Sequence, residues 1–260
     1  YLLSSILIYM LYICFIPTLT NHDELYHWFR AYEVSEGNLL SEINDNKALS
    51  SLPTSVGAIM NTEFFKQTYH STKDSLEIRE TKEETFYDMK TVSIYSPLQY
   101  IPQALGIRFA SIFTDRTMLL AYFGRIFNAL FSIFMIYFSI KIIPFGKKIL
   151  FVLSFIPIAI EGFTSLSPDA ITLSSSLLLI SYVLNLTYNK KFKEITKKDY
   201  VILLLLSTIL SLCKIVYVPM VFLTLLIPMK KFKKKRNYLL FNISIILISL
   251  LMNFIWLAIA

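Results

Sequence analysis

Apolar runs of about 20 residues recur along this chain, and short lysine-rich connections separate the later ones. As a helix, such a run rises about 30 Å, the thickness of a bilayer's hydrocarbon core. The pattern predicts an all-α integral membrane protein, a polytopic helical bundle. The 260 residues are 55% hydrophobic and only 17% charged, with a mean hydropathy of +0.57. A soluble domain is expected near 45–50% apolar and about 25% charged. The composition therefore excludes a soluble globular enzyme, a disordered chain and a disulfide-stapled secreted module. Cys14 and Cys213 each lie inside an apolar run, so there is neither a disulfide framework nor a CxxC metal knuckle.

The runs are unequal. Residues 1–19 form a first span; no small-residue cleavage site follows it, so it reads as an uncleaved span rather than a signal peptide. A polar segment covers roughly 20–96. The stretch 97–113 is apolar but interrupted by Pro102, Gly106 and Arg108, and a strong span covers 118–140. Two shorter pieces, 149–165 and 168–189, meet at Ser167-Pro168-Asp169. Residues 200–228 are apolar apart from a break at Cys213-Lys214, and the last run begins near 238. The chain starts and stops inside apolar runs, which reads as a piece of a longer membrane protein truncated at both ends.

Charge placement sets the orientation. The connections 141–148, 190–199 and 229–237 carry 3, 5 and 6 basic residues. Cytoplasmic loops collect lysine and arginine, so all three are placed inside. The net charge of +7 is thereby read as topology rather than as a nucleic-acid signal. The KKFKKKR run lies between apolar runs, and topology with anionic-lipid contact accounts for it. The 20–96 segment has 13 acidic against 7 basic residues and is placed outside. Parity then requires 97–113 to lie at the interface or re-enter. It also requires 200–228 to cross twice, as a broken hairpin with Lys214 near its outer tip. Each limb, counted as about 14 helical residues, would rise only about 21 Å. The division is a first transmembrane helix at 1–19, an extracytoplasmic loop with juxtamembrane helices at 20–117, and a bundle of about five further spans or half-spans at 118–260.

This arrangement brings Asp23-Glu24, Ser167-Pro168-Asp169 and Lys214 to one face. Leaving an ionisable group in lipid costs several kcal/mol, so those at membrane depth are functional candidates. In NHDELYHWFRAYEVSEGNLL, Asn21 and Glu24 have capping-box spacing, predicting a helix that stops near Gly37. Asp23, His27 and Arg30 fall at i, i+4 and i+7, one face of that helix. A carboxylate, a histidine and an arginine so placed can act as base, partner and anion clamp. The same residues also fit a capped juxtamembrane helix, lying at the interface, whose charges face water. HDELYH is not HExxH, because its two histidines are five apart; a divalent metal is not indicated. Asp169 reads either as a helix-start carboxylate complementing the dipole or as the lining of an outward cavity. Lys214 has no acid in its own run and needs a carboxylate, a phosphate or a cavity. Arg125, about two turns into the strong span, suits a lipid phosphate or snorkels to the interface.

HDELYHWFRAYEVSEGNL, YSPLQYIPQALG, GRIFNALF, SLSPDA and CKIVYVP occur in this order. The series resembles that of a bacterial multi-pass membrane family, DUF2142, over about residues 23–219. Where that family carries Pro before the Asp-Glu pair, this chain has His22. The family in turn resembles the GT-C glycosyltransferases, which take polyprenyl-phosphate sugar donors on the outer face of the membrane. The resemblance implies Asp23 or Glu24 as the general base. It implies Arg30, Arg125 and Lys214 for the donor phosphate, with His27 and Asp169 binding substrate. The partners implied are the bilayer, a lipid-linked sugar and a cell-wall polysaccharide or glycolipid acceptor, in the bacterial cytoplasmic membrane. No nucleic acid is implied. A transporter or flippase of a lipid-linked or anionic substrate, and a non-catalytic scaffold, are the alternatives.

Overall fold

The computed structural model describes residues 1–21, 23–44, 47–59, 74–89, 92–191 and 193–260. His22 and His70 lie outside the described residues. The described chain is mostly helical. Among the described residues three helices are long and apolar enough to cross a membrane: α5 (Thr117–Ile142), α8 (Asp169–Tyr188) and α10 (Lys235–Ile259). Around them stand α1 (Leu2–Phe15), α4 (Ile101–Ser111), α6 (Lys147–Leu153), α7 (Pro157–Thr164) and α9 (Lys197–Cys213). The polar segment supplies α2 (Glu24–Ser35) and the short α3 (Thr54–Ala58).

That segment also departs from an all-α expectation. It holds a three-stranded antiparallel sheet in the order β1 (Glu42–Asn44), β2 (Lys47–Pro53), β3 (Glu84–Asp88). The register sets Leu52 opposite Thr85 and Ser50 opposite Tyr87. Leu52 is buried, and Phe29 of α2 packs against Tyr87 with tilted rings, their centroids 4.6 Å apart. The sheet is thus a cover over α2.

Nor does α2 lie at an interface: Glu24, Leu25 and every residue from His27 to Val34 are buried. The Trp28 indole donates to the Val56 carbonyl at 3.0 Å. The helix starts without the expected capping box. Asp23 occupies the N-cap in a left-handed conformation, φ 58, and no side-chain cap bond forms. The stop agrees with expectation: Gly37 takes φ +91, a region open to glycine, just past the last turn.

The 149–165 piece is not one short span but two helices, α6 and α7, broken before Pro157. Proline lacks the N–H that a continuing helix would need and fits the first turn of the next. The 200–228 run breaks at Lys214 as expected, but its limbs are longer than counted. The first limb, α9, starts at Lys197 under a Thr196–Asp199 capping box, and its 17 residues rise about 26 Å. The second, Ile215–Leu226, is a 3₁₀ helix of 12 residues containing Pro219. At about 2 Å per residue it reaches about 24 Å, where an α-helix would reach about 18 Å.

The stretch 97–113 becomes a 3₁₀ turn, Pro97–Tyr100, leading into α4. This helix lies along α5 at close range. A Cβ added at Gly106 would stand 2.4 Å from the Phe123 carbonyl oxygen, so only glycine permits the approach. Leu105 and Phe109 of α4 stay exposed, with the Phe109 ring 5.6 Å from that of Phe127 on α5.

Candidate functional site

The sharp turn between α1 and α2 places the first candidates. Leu19 and Asp23 both hold positive φ, 66 and 58, uncommon for residues with side chains. Glu24 holds that turn closed. Its Oε2 accepts from Leu19 N–H at 2.9 Å and from Arg125 Nη2 at 2.5 Å. Its Oε1 accepts from Arg125 Nε at 2.7 Å and from Leu166 N–H at 2.9 Å. Arg125 donates two further bonds, to the carbonyls of Ile16 at 2.8 Å and Pro17 at 3.0 Å. Both side chains are solvent-excluded, at 0% and 1% exposure. The four acceptor positions of Glu24 are filled, and Arg125 spends four of its five N–H donors inside the protein. Glu24 and Arg125 form a clamp joining α1, α2, α5 and the loop before α8.

That loop, Ser165-Leu166-Ser167, is non-helical buried or part-buried backbone between α7 and α8, where unsatisfied groups are costly. Side chains from three elements satisfy it. Asn128 of α5 donates to the Ser165 carbonyl at 2.7 Å and to the Ser167 carbonyl at 3.0 Å. Gln103 of α4 donates to the carbonyls of Leu166 at 3.3 Å and Ser167 at 3.1 Å. Glu24 takes the Leu166 N–H. A second break, at Lys214, is treated the same way. Gln99 donates to the carbonyls of Leu212 at 3.3 Å and Cys213 at 2.5 Å, which the end of α9 leaves without helical partners.

These supports set two charged residues face to face. Ser167 Oγ accepts the Asp169 N–H at 3.2 Å, starting α8. The Asp169 carboxylate turns across to Lys214, with Oδ1 2.6 Å from Nζ. The pair keeps 40% and 29% side-chain exposure, so it is reachable. The ammonium also stands 5.7 Å over the Tyr95 ring. His27 completes the wall. Its ring lies 6.0 Å from that of Tyr95, and Nδ1 is 2.8 Å from Tyr100 Oη. Burial pushes the His27 pKa down to about 4, Asp169 pulls it up and Lys214 pushes it further down. Burial also raises the Tyr100 phenol well above its ordinary value. Tyr100 therefore donates to a neutral imidazole, and His27 is not a standing positive charge for an anion.

The sequence-predicted candidates thus separate into two groups. Asp169, Lys214 and His27 converge on one half-open wall, and Asp23, exposed, precedes the helix that carries His27. Glu24 and Arg125 lie behind it as a buried clamp. Arg30 lies elsewhere, with 0% exposure, ion-paired to Glu33 and donating to the Leu39 carbonyl at 2.8 Å. It holds the α2–β1 connection. Gln99, Gln103 and Asn128 escaped notice because uncharged residues raise no alarm in a hydropathy scan. Their spacing was the available signal: Gln99 and Gln103 are i, i+4, and Asn128 follows Arg125 by three. Glu161, a half-buried acid on α7, should have been found by the rule that singled out Lys214. Among the described residues no cluster of three or more His, Cys, Asp or Glu could hold a metal ion.

An apolar cavity of about 500 Å³ lies between α4, α5, α8 and α9, and Ile171, two residues after Asp169, is in its lining. Leu98, Ile101, Phe127, Leu130, Ile171 and Ile209 line it. Long apolar helices with satisfied breaks and a few converging charges define a helical membrane protein. More particularly, the chain belongs to the DUF2142 family of predicted membrane proteins, whose model matches residues 6–260. No curated protein and no solved structure matches it.

Proposed function

We propose that the chain is a GT-C-like membrane glycosyltransferase. It would move a sugar from a polyprenyl-phosphate donor to a polysaccharide or glycolipid acceptor at the outer face of the bacterial cytoplasmic membrane. In this reading residues 20–117 lie outside, and 118–260 form the polytopic bundle after the first span. The observation that carries the reading is the reachable Asp169–Lys214 pair at the head of α8, the helix that also lines an apolar cavity of about 500 Å³ through Ile171. Such a cavity suits an isoprenoid chain, and the ammonium suits the phosphate at its head. The acceptor oxygen attacks the anomeric carbon while the bond to the phosphate oxygen breaks. Asp23 takes the acceptor proton, and Lys214 neutralises the charge on the departing polyprenyl phosphate. Asp169 holds Lys214 before the donor arrives and binds the acceptor afterwards. Glu24 and Arg125 position the wall rather than touch substrate, and Arg30 holds the α2–β1 connection.

Complementation of surface-glycan synthesis tests this. Asp23→Asn and Lys214→Met should abolish glycan with the protein still folded and in the membrane. Intact glycan from both would sink the transferase reading. The break at Lys214 between two limbs is also a feature of transporters of lipid-linked or anionic substrates. That alternative predicts normal sugar transfer in detergent with failure only in sealed vesicles. A non-catalytic scaffold predicts that both substitutions are tolerated. Cysteine labelling at Ser167 and Asn189 tests orientation: the proposal expects Ser167 to label from outside and Asn189 from inside.

A further inference from the structure

At the opposite end of the bundle, two lysine-rich connections meet. The Ile195 N–H donates to the Lys231 carbonyl at 3.0 Å, tying the connection before α9 to the one before α10. Between them is a cavity of about 240 Å³, smaller than the about 300–1,000 Å³ of drug-sized ligand sites. Its floor is aromatic. Phe232 and Phe241 have ring centroids 5.0 Å apart, and Tyr200 lies 5.5 Å from Phe241. Its rim is cationic, with Lys197 from the start of α9 and Lys233 from the second connection. Lys231, only 7% exposed, closes the wall and donates its ammonium to the Leu186 carbonyl near the end of α8. Glu194, the one acid among the described lining residues, lies 3.9 Å from Lys233, and both are well exposed at 63% and 76%. Such an exposed pair is weak and can be exchanged for another anion.

We propose that this pocket binds the phosphodiester headgroup of an anionic phospholipid, with Lys197 and Lys233 on the phosphate and the aromatic floor under the glycerol. Basic pockets between membrane helices on the cytoplasmic side recognise such headgroups. The surroundings favour a lipid over a soluble anion. On α10, Leu240, Ile243 and Leu247 are exposed at i, i+3 and i+7, an apolar stripe beginning one turn above Asn237 of the pocket. An acyl chain leaving the headgroup would lie along it. α8 separates this pocket from the Asp169–Lys214 pair by about 30 Å, so it is a second site, independent of the transferase reading.

The test uses the whole chain reconstituted with phosphatidylcholine and phosphatidylglycerol, then read by native mass spectrometry for retained lipid. Wild type should retain phosphatidylglycerol over phosphatidylcholine. Lys197→Gln with Lys233→Gln should cut that retention roughly 25-fold, about five-fold per lysine. Lys147→Gln with Lys148→Gln, the same charge change on another connection, should leave it within about five-fold. Equal losses from the two pairs would mean diffuse attraction and overturn the site. Glu194→Gln leaves every lysine in place and should tighten retention; unchanged or weaker retention counts against the proposal. Inorganic phosphate displacing the lipid at equal concentration would assign the pocket to a soluble anion instead.

Discussion

Glu24→Gln separates a structural carboxylate from a catalytic one. Glu24 accepts four hydrogen bonds, two from Arg125 at 2.7 and 2.5 Å and two from backbone N–H groups at 2.9 Å. Glutamine keeps one acceptor oxygen and turns an NH₂ toward donors. At least one donor pair then loses its acceptor, and the Arg125 guanidinium stays buried at 0% exposure without a counter-charge. Removing one partner of a buried pair costs about 3–5 kcal/mol. For a chain of this size that lowers the thermal midpoint by roughly 6–20 °C. The assay is thermal unfolding of the purified protein in detergent, beside Arg125→Met and the double variant Glu24→Met/Arg125→Met. The double variant leaves no orphaned charge and should recover at least half of the loss. A midpoint for Glu24→Gln within about 2 °C of wild type, with glycan synthesis lost, would refute the clamp. Glu24 would then be the base.

Further consequences follow from the wall itself. The Asp169–Lys214 pair is part-exposed, so Lys214→Met and Asp169→Asn should each cost under about 1 kcal/mol of stability while abolishing glycan synthesis. His27 has a folded pKa near 4, below its ordinary 6.5, so the unfolded chain binds more protons between those values. Its contribution to stability is complete above pH 6.5 and falls as pH drops toward 4, by up to about 3 kcal/mol. Melting curves of wild type against His27→Gln should show that acid loss only in wild type. Gly106→Ala pushes a methyl group into the Phe123 carbonyl and should cost at least about 1–3 kcal/mol, read as a lowered thermal midpoint.

Much of the site was legible as position along the chain. Lys214 stood out because a charge in a long apolar run must be answered by something, and the answer was Asp169 at the head of another helix. The Ser167-Pro168-Asp169 junction and the break before Ile215 were visible for the same reason: polar residues and proline interrupt a hydropathy pattern. What misled was local reading of the polar segment. Asn21 and Glu24 have capping-box spacing, yet Glu24 turns away to Arg125, 101 residues later. The aromatic α2 looked like an interfacial helix because nothing in its own sequence reveals the sheet that covers it.

The sequence by itself determined the solvent, the places where helices must break and the handful of charges that require an explanation. Each follows from local hydropathy and from backbone rules that act within a few residues. Only the tertiary structure decided which charges answer one another. It closed Glu24 on Arg125, paired Asp169 with Lys214 at a part-exposed position, and left His27 neutral against Tyr100. It also let a 3₁₀ limb stretch over a distance that an α-helical count denied it. Pairing depends on how helices pack side by side, and hydropathy along one chain carries no record of that register.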